Sequence, residues 1–334
     1  MSILSLGLLL PKFKPLARIT KNIVDAKISL DADQLVAIPT ETVYGLAAKG
    51  TSPIALKKIF VAKGRPANNP LILHFKDFES IRPFVRSLND EVKLLADEFW
   101  PGPLTLLLPK SDAVPGIVTA GSERVAVRVP NHQKTLGLLR SLDYPLAAPS
   151  ANPSGYISPT LPKHVEKQLG NKIGLILDGG ACQSGIESTI LGWEDNIPVI
   201  YRKGVITAEQ IGAILKTIPR FNEKTKVLEA PGMLSSHYAP NTTTLVVDDV
   251  KTSLRLFHNK KVGLLLFKEN HDVSVEEKMV LSASGTLEEM AQNLYAEMHR
   301  LDLLGLDIIM IEKAPEIGIG KAINDRLQRS ATKE

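Results

Sequence analysis

Two cations flank a glycine at residues 63–65, directly after an apolar pattern with helical spacing. Gly64 disfavours continuation of that helix, and Pro66 and Pro70 block it, so we predict a rigid bend here. Such a bend holds Lys63 and Arg65 close together, where a polyanion can contact both. A lone Lys-x-Arg is usually a solvated turn, so this alternative stays open and other motifs must decide.

Further polar side chains fall at the ends of predicted strands in the first two thirds of the chain. Cations, hydroxyls and amides dominate this set, and the nearby carboxylates are Glu41 and Glu187. The composition suits a polyphosphate better than a sugar or a peptide, because phosphates are bound by charge and by hydrogen-bond donors. The set is Thr40, Thr42, Lys63, Arg65, Asn69, His74, Arg128, Ser150, Asn152, Ser158, Ser188 and Arg202.

Several other chemistries are disfavoured by the sequence. It has no Walker loop, no dinucleotide-binding glycine fingerprint and no Gly-x-Ser-x-Gly elbow. Its single Cys182 excludes a disulfide framework and a Cys-rich zinc site, and its seven histidines are scattered, so we expect no metal held by protein side chains. From the residues alone, the prediction is an anion-binding α/β enzyme.

Composition is that of a globular protein, with 44% hydrophobic and 23% charged residues and a formal net charge of +4. The weak basic balance is consistent with an anionic substrate and does not establish nucleic-acid binding. No run is long enough to span a bilayer. The apolar stretch 2–10 is interpreted as an N-terminal strand or frayed end, because its lysines lie on the wrong side for a signal peptide.

The elements that would position these side chains alternate between strands and helices. Alternation over 122–130 places Arg124, Ala126 and Arg128 on one face of a strand, where two arginines beside a cleft would form a second cationic wall. We predict strands over 34–39, 71–75, 104–108, 173–177, 185–191 and 197–201, and helices over 52–62, 132–141, 161–169 and 208–216, with two more within 77–99.

The chain divides into three parts. Residues 1–216 form the predicted catalytic domain, and 217–241 lack periodicity and are interpreted as a linker. Residues 242–334 predict a smaller Rossmann-like parallel α/β domain, with strands over 243–248, 261–267, 279–282 and 307–312 and helices over 250–258, 286–304 and 320–330.

Taken together, the motifs resemble those of the YrdC-like threonylcarbamoyl-AMP synthases, in their long two-domain form. The resemblance extends from about residue 20 to about residue 330. Each motif is weak alone, but their ordered combination is specific. It is carried by Pro39-Thr-Glu-Thr-Val-Tyr-Gly45, Lys63-x-Arg65, Trp100-Pro-Gly-Pro-Leu-Thr105, Val125-Ala-Val-Arg128, Ser150-x-Asn152, Glu187-Ser-Thr-Ile190 and Pro231-Gly-Met…His237-Tyr-Ala-Pro240.

The resemblance implies a cytoplasmic nucleotidyltransferase that condenses ATP, L-threonine and bicarbonate into threonylcarbamoyl-AMP and pyrophosphate, with Mg²⁺ bound alongside ATP. Partner machinery would pass the threonylcarbamoyl group to the adenosine beside the anticodon of tRNA, so tRNA is an indirect partner and no membrane is involved. The implied fold is a twisted α/β sheet around a large positive cavity.

Residue by residue, the resemblance makes Lys63 and Arg65 catalytic, binding and polarising the ATP phosphates. The other ATP-binding residues would be Asn69, Ser150, Asn152, Ser158, Arg202, His237 and Tyr238, and the threonine-binding residues Thr42, His74, Arg128, Ala148 (through its backbone) and Ser188. Two departures stand out. Arg124 occupies a position where the family often has a small hydroxyl residue, and the linker between Met233 and His237 lacks the usual aromatic and basic residues.

Two alternative functions remain at this stage, together with alternative roles for three single residues. One is an RNA-binding or regulatory protein of the same fold without catalysis. Another is carbamoyl transfer in hydrogenase maturation, whose Cys-rich zinc modules this chain cannot build. Locally, His74 could be a core histidine, Tyr238 could pack the linker, and Glu41 could be a cap or an ion-pair partner. For the second domain we hypothesise a brace that holds the linker over the active site.

Overall fold

The computed structural model describes residues 16–222, 237–269, 273 and 275–331. The apolar stretch 2–10 and linker residues 223–236 lie outside these ranges, and with them the predictions made for both segments.

A large mixed sheet organises the first part of the chain. Within the described residues, eleven strands lie in the order β1-β8-β2-β3-β7-β4-β6-β5-β9-β10-β11. They are β1 Arg18–Thr20, β2 Val36–Ile38, β3 Gly45–Lys49, β4 Ile72–His74, β5 Leu104–Pro109, β6 Arg124–Arg128, β7 Leu146–Ala147, β8 Leu175–Leu177, β9 Thr189–Glu194, β10 Ile197–Arg202 and β11 Arg220–Phe221.

Helices connect and cover these strands. The 77–99 segment holds a 3₁₀ helix over Glu79–Phe84 followed by an α-helix, rather than two α-helices. The α-helices are α1 Ile23–Asp31, α2 Pro53–Lys63, α3 Asp90–Phe99, α4 Gly116–Thr119, α5 Gln133–Arg140, α6 Pro162–Leu169 and α7 Ala208–Leu215.

The register in the middle of the sheet brings distant polar residues together. In the parallel pair β4–β6, His74 lies opposite Arg128. The antiparallel pair β4–β7 places Leu73 opposite Ala147, and an isolated bridge joins Gly45 to Ser150. His74 and Arg128 therefore adjoin at the ends of β4 and β6, whereas Ser150 lies beside Gly45 at the start of β3.

The two faces of β6 follow the predicted alternation. Val125 and Val127 are buried in the main hydrophobic core with α2 and α3, whereas Ala126 packs in a smaller cluster on the opposite face. Arg124 and Arg128 share the face of Ala126, but they lie at opposite ends of the strand and so meet different surroundings.

In the described part of residues 237–331, four strands form a parallel sheet in the order β12-β15-β13-β14. The predicted parallel α/β domain is therefore confirmed. Its elements are β12 Thr243–Val247, α8 Val250–Leu256, β13 Val262–Leu266, β14 Glu277–Val280, α9 Leu287–Leu301, β15 Ile308–Glu312 and α10 Gly320–Ala331.

The two sheets are joined by a shared apolar cluster rather than by the linker alone. Val43, Ile157 and Ile186 from the first part pack with α9 and α10 of the second. Gly185 lies directly against the α9 backbone: an added Cβ would sit 2.1 Å from the carbonyl oxygen of Ala291, and Gly185 has φ of +74°. Only glycine fits this close approach without displacing the helix.

One prediction about the linker was wrong in part. Residues 220–221 are not without secondary structure, because β11 pairs in parallel with β10 and extends the large sheet. No helix in the described ranges is both long and apolar enough to cross a bilayer.

Candidate active site

The Lys63–Arg65 bend forms as the local sequence predicts. Ser52 caps the start of α2 through its side chain, and the helix ends at Gly64, which has φ of +62° in the left-handed region that favours glycine. The Lys63 Nζ then donates to the carbonyl oxygens of Ser150 (2.6 Å) and Asn152 (2.5 Å). These bonds fix the bend against the loop that follows β7.

Arg65 is oriented by its own neighbours. Its Nη2 donates to Asn69 Oδ1 (2.5 Å) and to the Pro70 carbonyl oxygen (2.7 Å), and its Nε donates to the Asn69 carbonyl oxygen (3.1 Å). Three bonds to a planar guanidinium leave little rotational freedom. The remaining edge of Arg65 faces a cavity.

This cavity, which we call the anion pocket, lies where the ends of β4, β6 and β10 meet the loops after β2 and β7. Its volume of about 50 Å³ is smaller than the several hundred Å³ typical of small-molecule sites. Its lining residues are Thr40, Thr42, Val43, Gly45, Arg65, Ile72, His74, Arg128, Ala148, Pro149, Ser150, Glu187, Arg202, His237 and Tyr238.

Arg128 forms one wall of the anion pocket. Its Nε donates to the Gly102 carbonyl oxygen (3.1 Å), its Nη1 donates to Thr42 Oγ1 (3.2 Å), and its Nη2 forms an ion pair with Glu41 Oε1 (2.7 Å). The expectation that Glu41 is an ion-pair partner is thereby confirmed. His74 lies beside Arg128 in the sheet register and lines the same wall.

Arg202 forms a further part of the pocket wall. Its Nε donates to the Ser188 carbonyl oxygen and its Nη2 to Ser188 Oγ, both at 3.0 Å. Ser188 Oγ also contacts Thr105 Oγ1 (2.8 Å). The two hydroxyl residues thus support Arg202 from below the pocket surface.

Burial and mutual repulsion lower the pKa values of the cations at the anion pocket. Burial lowers the pKa of Lys63 well below its usual range, with repulsion from Arg65 adding to the shift. Burial, followed by repulsion from Arg202, lowers the pKa of Arg65 to about 9, which still leaves it charged at neutral pH. An anion between these groups would relieve the repulsion.

The histidines of the anion pocket are neutral. Burial lowers the pKa of His74 to about 3, with nearby Arg128 lowering it further, and burial lowers the pKa of His237 to about 3 as well. Imidazoles with such low pKa values are weak bases, so neither fits a general base at neutral pH.

Unpartnered polar atoms surround the pocket. Among the described residues, eight buried atoms there lack a hydrogen-bond partner within the protein. Two of them, Arg128 Nη2 and Glu41 Oε1, form the ion pair described above. The others are Asn69 Nδ2, His74 Nδ1, Glu41 Oε2, Asn152 Oδ1, His237 Nδ1 and the Tyr238 hydroxyl. Buried polar groups are nearly always hydrogen-bonded in folded proteins, so this concentration of exceptions indicates a site built for a polar ligand.

His237 and Tyr238 close the anion pocket from the side of the second domain. Their rings meet at 4.1 Å between centroids, and the Tyr238 ring stacks on Tyr295 of α9 at 5.7 Å. Tyr238 has φ of +65°, an unusual conformation for a side chain of this size, and it is 1% exposed. The surrounding residues therefore hold Tyr238 in place against a local backbone preference.

The second domain also supplies groups that sequence reasoning missed. Arg326 of α10 is fully buried, and its Nε donates to Glu187 Oε2 (2.7 Å). The Tyr295 hydroxyl donates to the same oxygen (3.2 Å), while Ser158 Oγ donates to Glu187 Oε1 (2.7 Å). In the sequence, α9 and α10 are evident only as the helices predicted over 286–304 and 320–330, and neither pattern signals such a contact.

The structure thus gathers the predicted site residues into two layers. Those that line the pocket are Thr42, Arg65, His74, Arg128, Ala148, Ser150, Arg202, His237 and Tyr238. Those just behind it are Lys63, Asn69, Ser158 and Ser188, each bonded to a lining residue, and Asn152, whose carbonyl oxygen accepts from Lys63.

Arg124 does not belong to this site. Its guanidinium lies over the Tyr201 ring (4.8 Å to the centroid), and Nη1 donates to the Tyr201 hydroxyl (2.8 Å) and the Trp193 carbonyl oxygen (3.3 Å). The predicted cationic wall with both arginines of β6 is therefore not formed. Of these two arginines, only Arg128 lines the anion pocket.

Comparisons with known proteins agree with this architecture. Residues 29–204 match the Sua5_yciO_yrdC family model, described as "Telomere recombination", and residues 206–332 match the model "Threonylcarbamoyl-AMP synthase, C-terminal domain". The chain is 39% identical to the threonylcarbamoyl-AMP synthase of Pyrococcus abyssi over 89% of its length and 90% of the relative. It is also 39% identical to that of Bacillus subtilis, over 92% of both chains.

A solved structure extends the likeness to the whole fold. The crystal structure of P. abyssi Sua5 complexed with L-threonine superposes with a TM-score of 0.87 at 37% identity, covering 95% of this chain and 97% of that one. The two family models together, and each of the two relatives, span both domains described above. The chain belongs to the two-domain, Sua5-type family of threonylcarbamoyl-AMP synthases.

Proposed function

We propose that this protein is an L-threonylcarbamoyladenylate synthase, a nucleotidyltransferase that uses ATP, L-threonine and bicarbonate. The observation that carries the proposal is the convergence of Arg65, Arg128 and Arg202 on one buried pocket. Clustered buried cations repel one another and lose hydration, so an anionic ligand that pairs with them is the natural occupant.

The pocket has two chemically distinct sides that suit the two larger substrates. On the side of Lys63 and Arg65, positive charge fits the phosphates of ATP. On the side of Arg128, the guanidinium fits the threonine carboxylate, while Thr42 and the Ala148 backbone fit its polar groups. We assign Ser150, Asn152, Ser158, Asn69, Arg202, His237 and Tyr238 to the nucleotide side, and His74 and Ser188 to the threonine side.

The reaction follows from this placement. The threonine amine combines with bicarbonate to give a carbamate and water. A carbamate oxygen then attacks the α-phosphorus, forming the new O–P bond as the bond to the β-phosphate breaks and pyrophosphate leaves. Negative charge grows on the α- and β-phosphate oxygens, where Lys63 and Arg65 stabilise it. The carbamate is already anionic, so no protein base is needed for the attack.

The donor set around the pocket fits a metal ion carried by the nucleotide rather than by the chain. Glu41 and Glu187 are the carboxylates nearest the cavity, and each is already ion-paired with an arginine. A Mg²⁺ bound with ATP would keep the phosphate oxygens and water as ligands and would supply further charge neutralisation when bound.

Downstream, the labile mixed anhydride requires an acceptor. We propose that partner machinery transfers the threonylcarbamoyl group to the adenosine beside the anticodon of tRNA, so that this chain meets tRNA only indirectly.

The proposal is tested by pyrophosphate release from ATP, measured with L-threonine or L-serine and with or without bicarbonate. We expect release that requires bicarbonate and prefers threonine by about tenfold or more, because one buried methyl group is worth roughly 1–3 kcal/mol. An RNA affinity that Lys63→Ala weakens only slightly, with no turnover, would instead identify a binding protein of the same fold.

A further inference from the structure

Glu187 stands in a place where a carboxylate is unfavourable. It lines the anion pocket together with Arg65 and Arg202, and it is 6% exposed. An unpaired carboxylate at this wall would repel the triphosphate of an incoming nucleotide, since the interaction between charges is strong in a buried site.

The charge of Glu187 is offset from outside the first domain. Arg326 of α10 donates from Nε to Glu187 Oε2, and its Nη2 donates to the Lys203 carbonyl oxygen (2.7 Å), which fixes the guanidinium. Attraction to Arg326 and then to Arg202 opposes the effect of burial and keeps the pKa of Glu187 below its usual value. The carboxylate is thus ionised, and its principal partner belongs to the second domain.

The same arginine contacts the residue that closes the pocket. The Arg326 guanidinium lies 5.1 Å from the centroid of the Tyr238 ring, within the range of a cation–π contact. Tyr295, which stacks on Tyr238, also donates to Glu187. One cluster therefore joins the carboxylate, the closing tyrosine and two helices of the second domain.

Stability alone does not account for this arrangement. A buried ion pair is often no more stabilising than well-packed apolar residues of similar volume, because both charges lose their hydration. Ser158 and the Lys203 carbonyl supply the extra hydrogen bonds that such a pair needs. Because this pair faces an anion site, it also reduces the repulsion between Glu187 and an anionic ligand.

We propose that Arg326 is a positioning residue for the ATP subsite: it neutralises Glu187 at the pocket wall, so that the anion pocket accepts a nucleoside triphosphate only while the C-terminal domain is docked. This inference rests on the assignment of ATP to the pocket. It gives the second domain a role in substrate affinity without placing any of its residues on the substrate.

If Arg326 acts by neutralising Glu187, then replacing Arg326 should weaken ATP binding more than replacing Glu187. Arg326→Gln leaves Glu187 ionised without its main partner, and the Michaelis constant for ATP should rise by about tenfold or more. Glu187→Gln removes the repelling charge, and Arg326 keeps Asp325 as a partner at 2.6 Å, so the same constant should rise by less than about threefold.

The double variant, in which both residues are replaced by Gln, gives the sharpest test. It restores neutrality at the wall, so the Michaelis constant for ATP should return to within about threefold of the wild-type value. The Michaelis constant for threonine should change little in all three variants. Arg300→Gln is the matched control, because Arg300 lies on α9, its side chain is exposed, and it pairs with Glu277 at the surface.

Each outcome decides between readings. The Michaelis constants for ATP and threonine could instead rise equally in Arg326→Gln and Glu187→Gln and stay raised in the double variant. That result would mean that the pair is purely structural, and it would overturn the inference. If Arg326→Gln does not fold, the double variant still tests the idea, since a rise of about tenfold or more in its Michaelis constant for ATP would refute it. Wild-type protein without threonine-dependent pyrophosphate release would instead remove the proposed function itself.

Discussion

Replacing Asn69 with alanine tests whether this residue acts on the nucleotide directly or through Arg65. Asn69 is 1% exposed and does not line the anion pocket, yet its Oδ1 accepts a bond from Arg65 Nη2. Asn69→Ala removes that bond and keeps the one to the Asn69 carbonyl oxygen. The guanidinium would then have one fewer support in the orientation that faces the pocket.

The size of the effect follows from the kind of bond that is lost. A hydrogen bond to a charged group contributes about 1.5–3 kcal/mol, so kcat/KM for ATP should fall roughly 10- to 150-fold if the orientation of Arg65 is fully needed. The assay is pyrophosphate release at saturating threonine and bicarbonate. Asn89→Ala is the control: Asn89 caps α3 far from the pocket, so its loss should lower the free energy of unfolding by about 1 kcal/mol and leave the kinetics unchanged.

A double-variant cycle separates the two roles of Asn69. If Asn69 acts by orienting Arg65, then Asn69→Ala should have little further effect once Arg65 has been replaced by Lys, which lacks the fork. Equal effects in the two backgrounds would refute this reasoning. They would show that the unpartnered Nδ2 of Asn69 donates to the nucleotide itself, as expected from the family resemblance.

Three further predictions concern the threonine side, acid stability and domain docking. Arg128→Lys should raise the Michaelis constant for threonine about tenfold or more, with a smaller change for ATP, because lysine lacks the planar, forked donors of the guanidinium. A larger rise for ATP than for threonine in the pyrophosphate assay would reassign Arg128 to the nucleotide. His74 and His237 are buried and neutral with pKa values of about 3, below the ordinary 6.5, so the unfolded chain binds more protons between these values and stability falls as pH is lowered. At pH 5 each should lower the free energy of unfolding by about 2 kcal/mol relative to pH 7, as measured by urea denaturation, and His237→Gln should lose its share of that dependence. Gly185→Ala should destabilise the docking of α9, since its Cβ would clash with the helix backbone at 2.1 Å; unchanged protease sensitivity and melting temperature would contradict this.

Local rules were enough to predict the bend that carries Lys63 and Arg65. A serine cap, a proline in the first turn and a glycine at the end define α2, and each acts within a few residues of itself. The alternation of β6 likewise follows from strand geometry. Predictions of this kind succeed because the interactions that decide them are close in sequence.

The same rules could not separate Arg124 from Arg128, although both lie on one face of β6. Arg124 meets the aromatic ring of Tyr201 on β10, which lies beyond β5 and β9, whereas Arg128, four residues on, meets Glu41 and Thr42 on the loop after β2. What distinguishes them is which distant segments reach each end of β6, and this depends on the order of strands in the sheet. Side-chain types and spacing carry no information about that order.

The contribution of Arg326 is further still from what a sequence pattern can reveal, since it lies 139 residues from Glu187. In the helical pattern of α10, a buried arginine looks like any solvated cation on a polar face. Its contact with Glu187 exists only because the second domain packs against the first. In the proposed arrangement, the first sheet supplies the cations of the anion pocket, and the second domain offsets the charge of Glu187. A nucleotide that binds the completed pocket must also favour the docked arrangement of the domains, because a ligand stabilises whichever state it prefers.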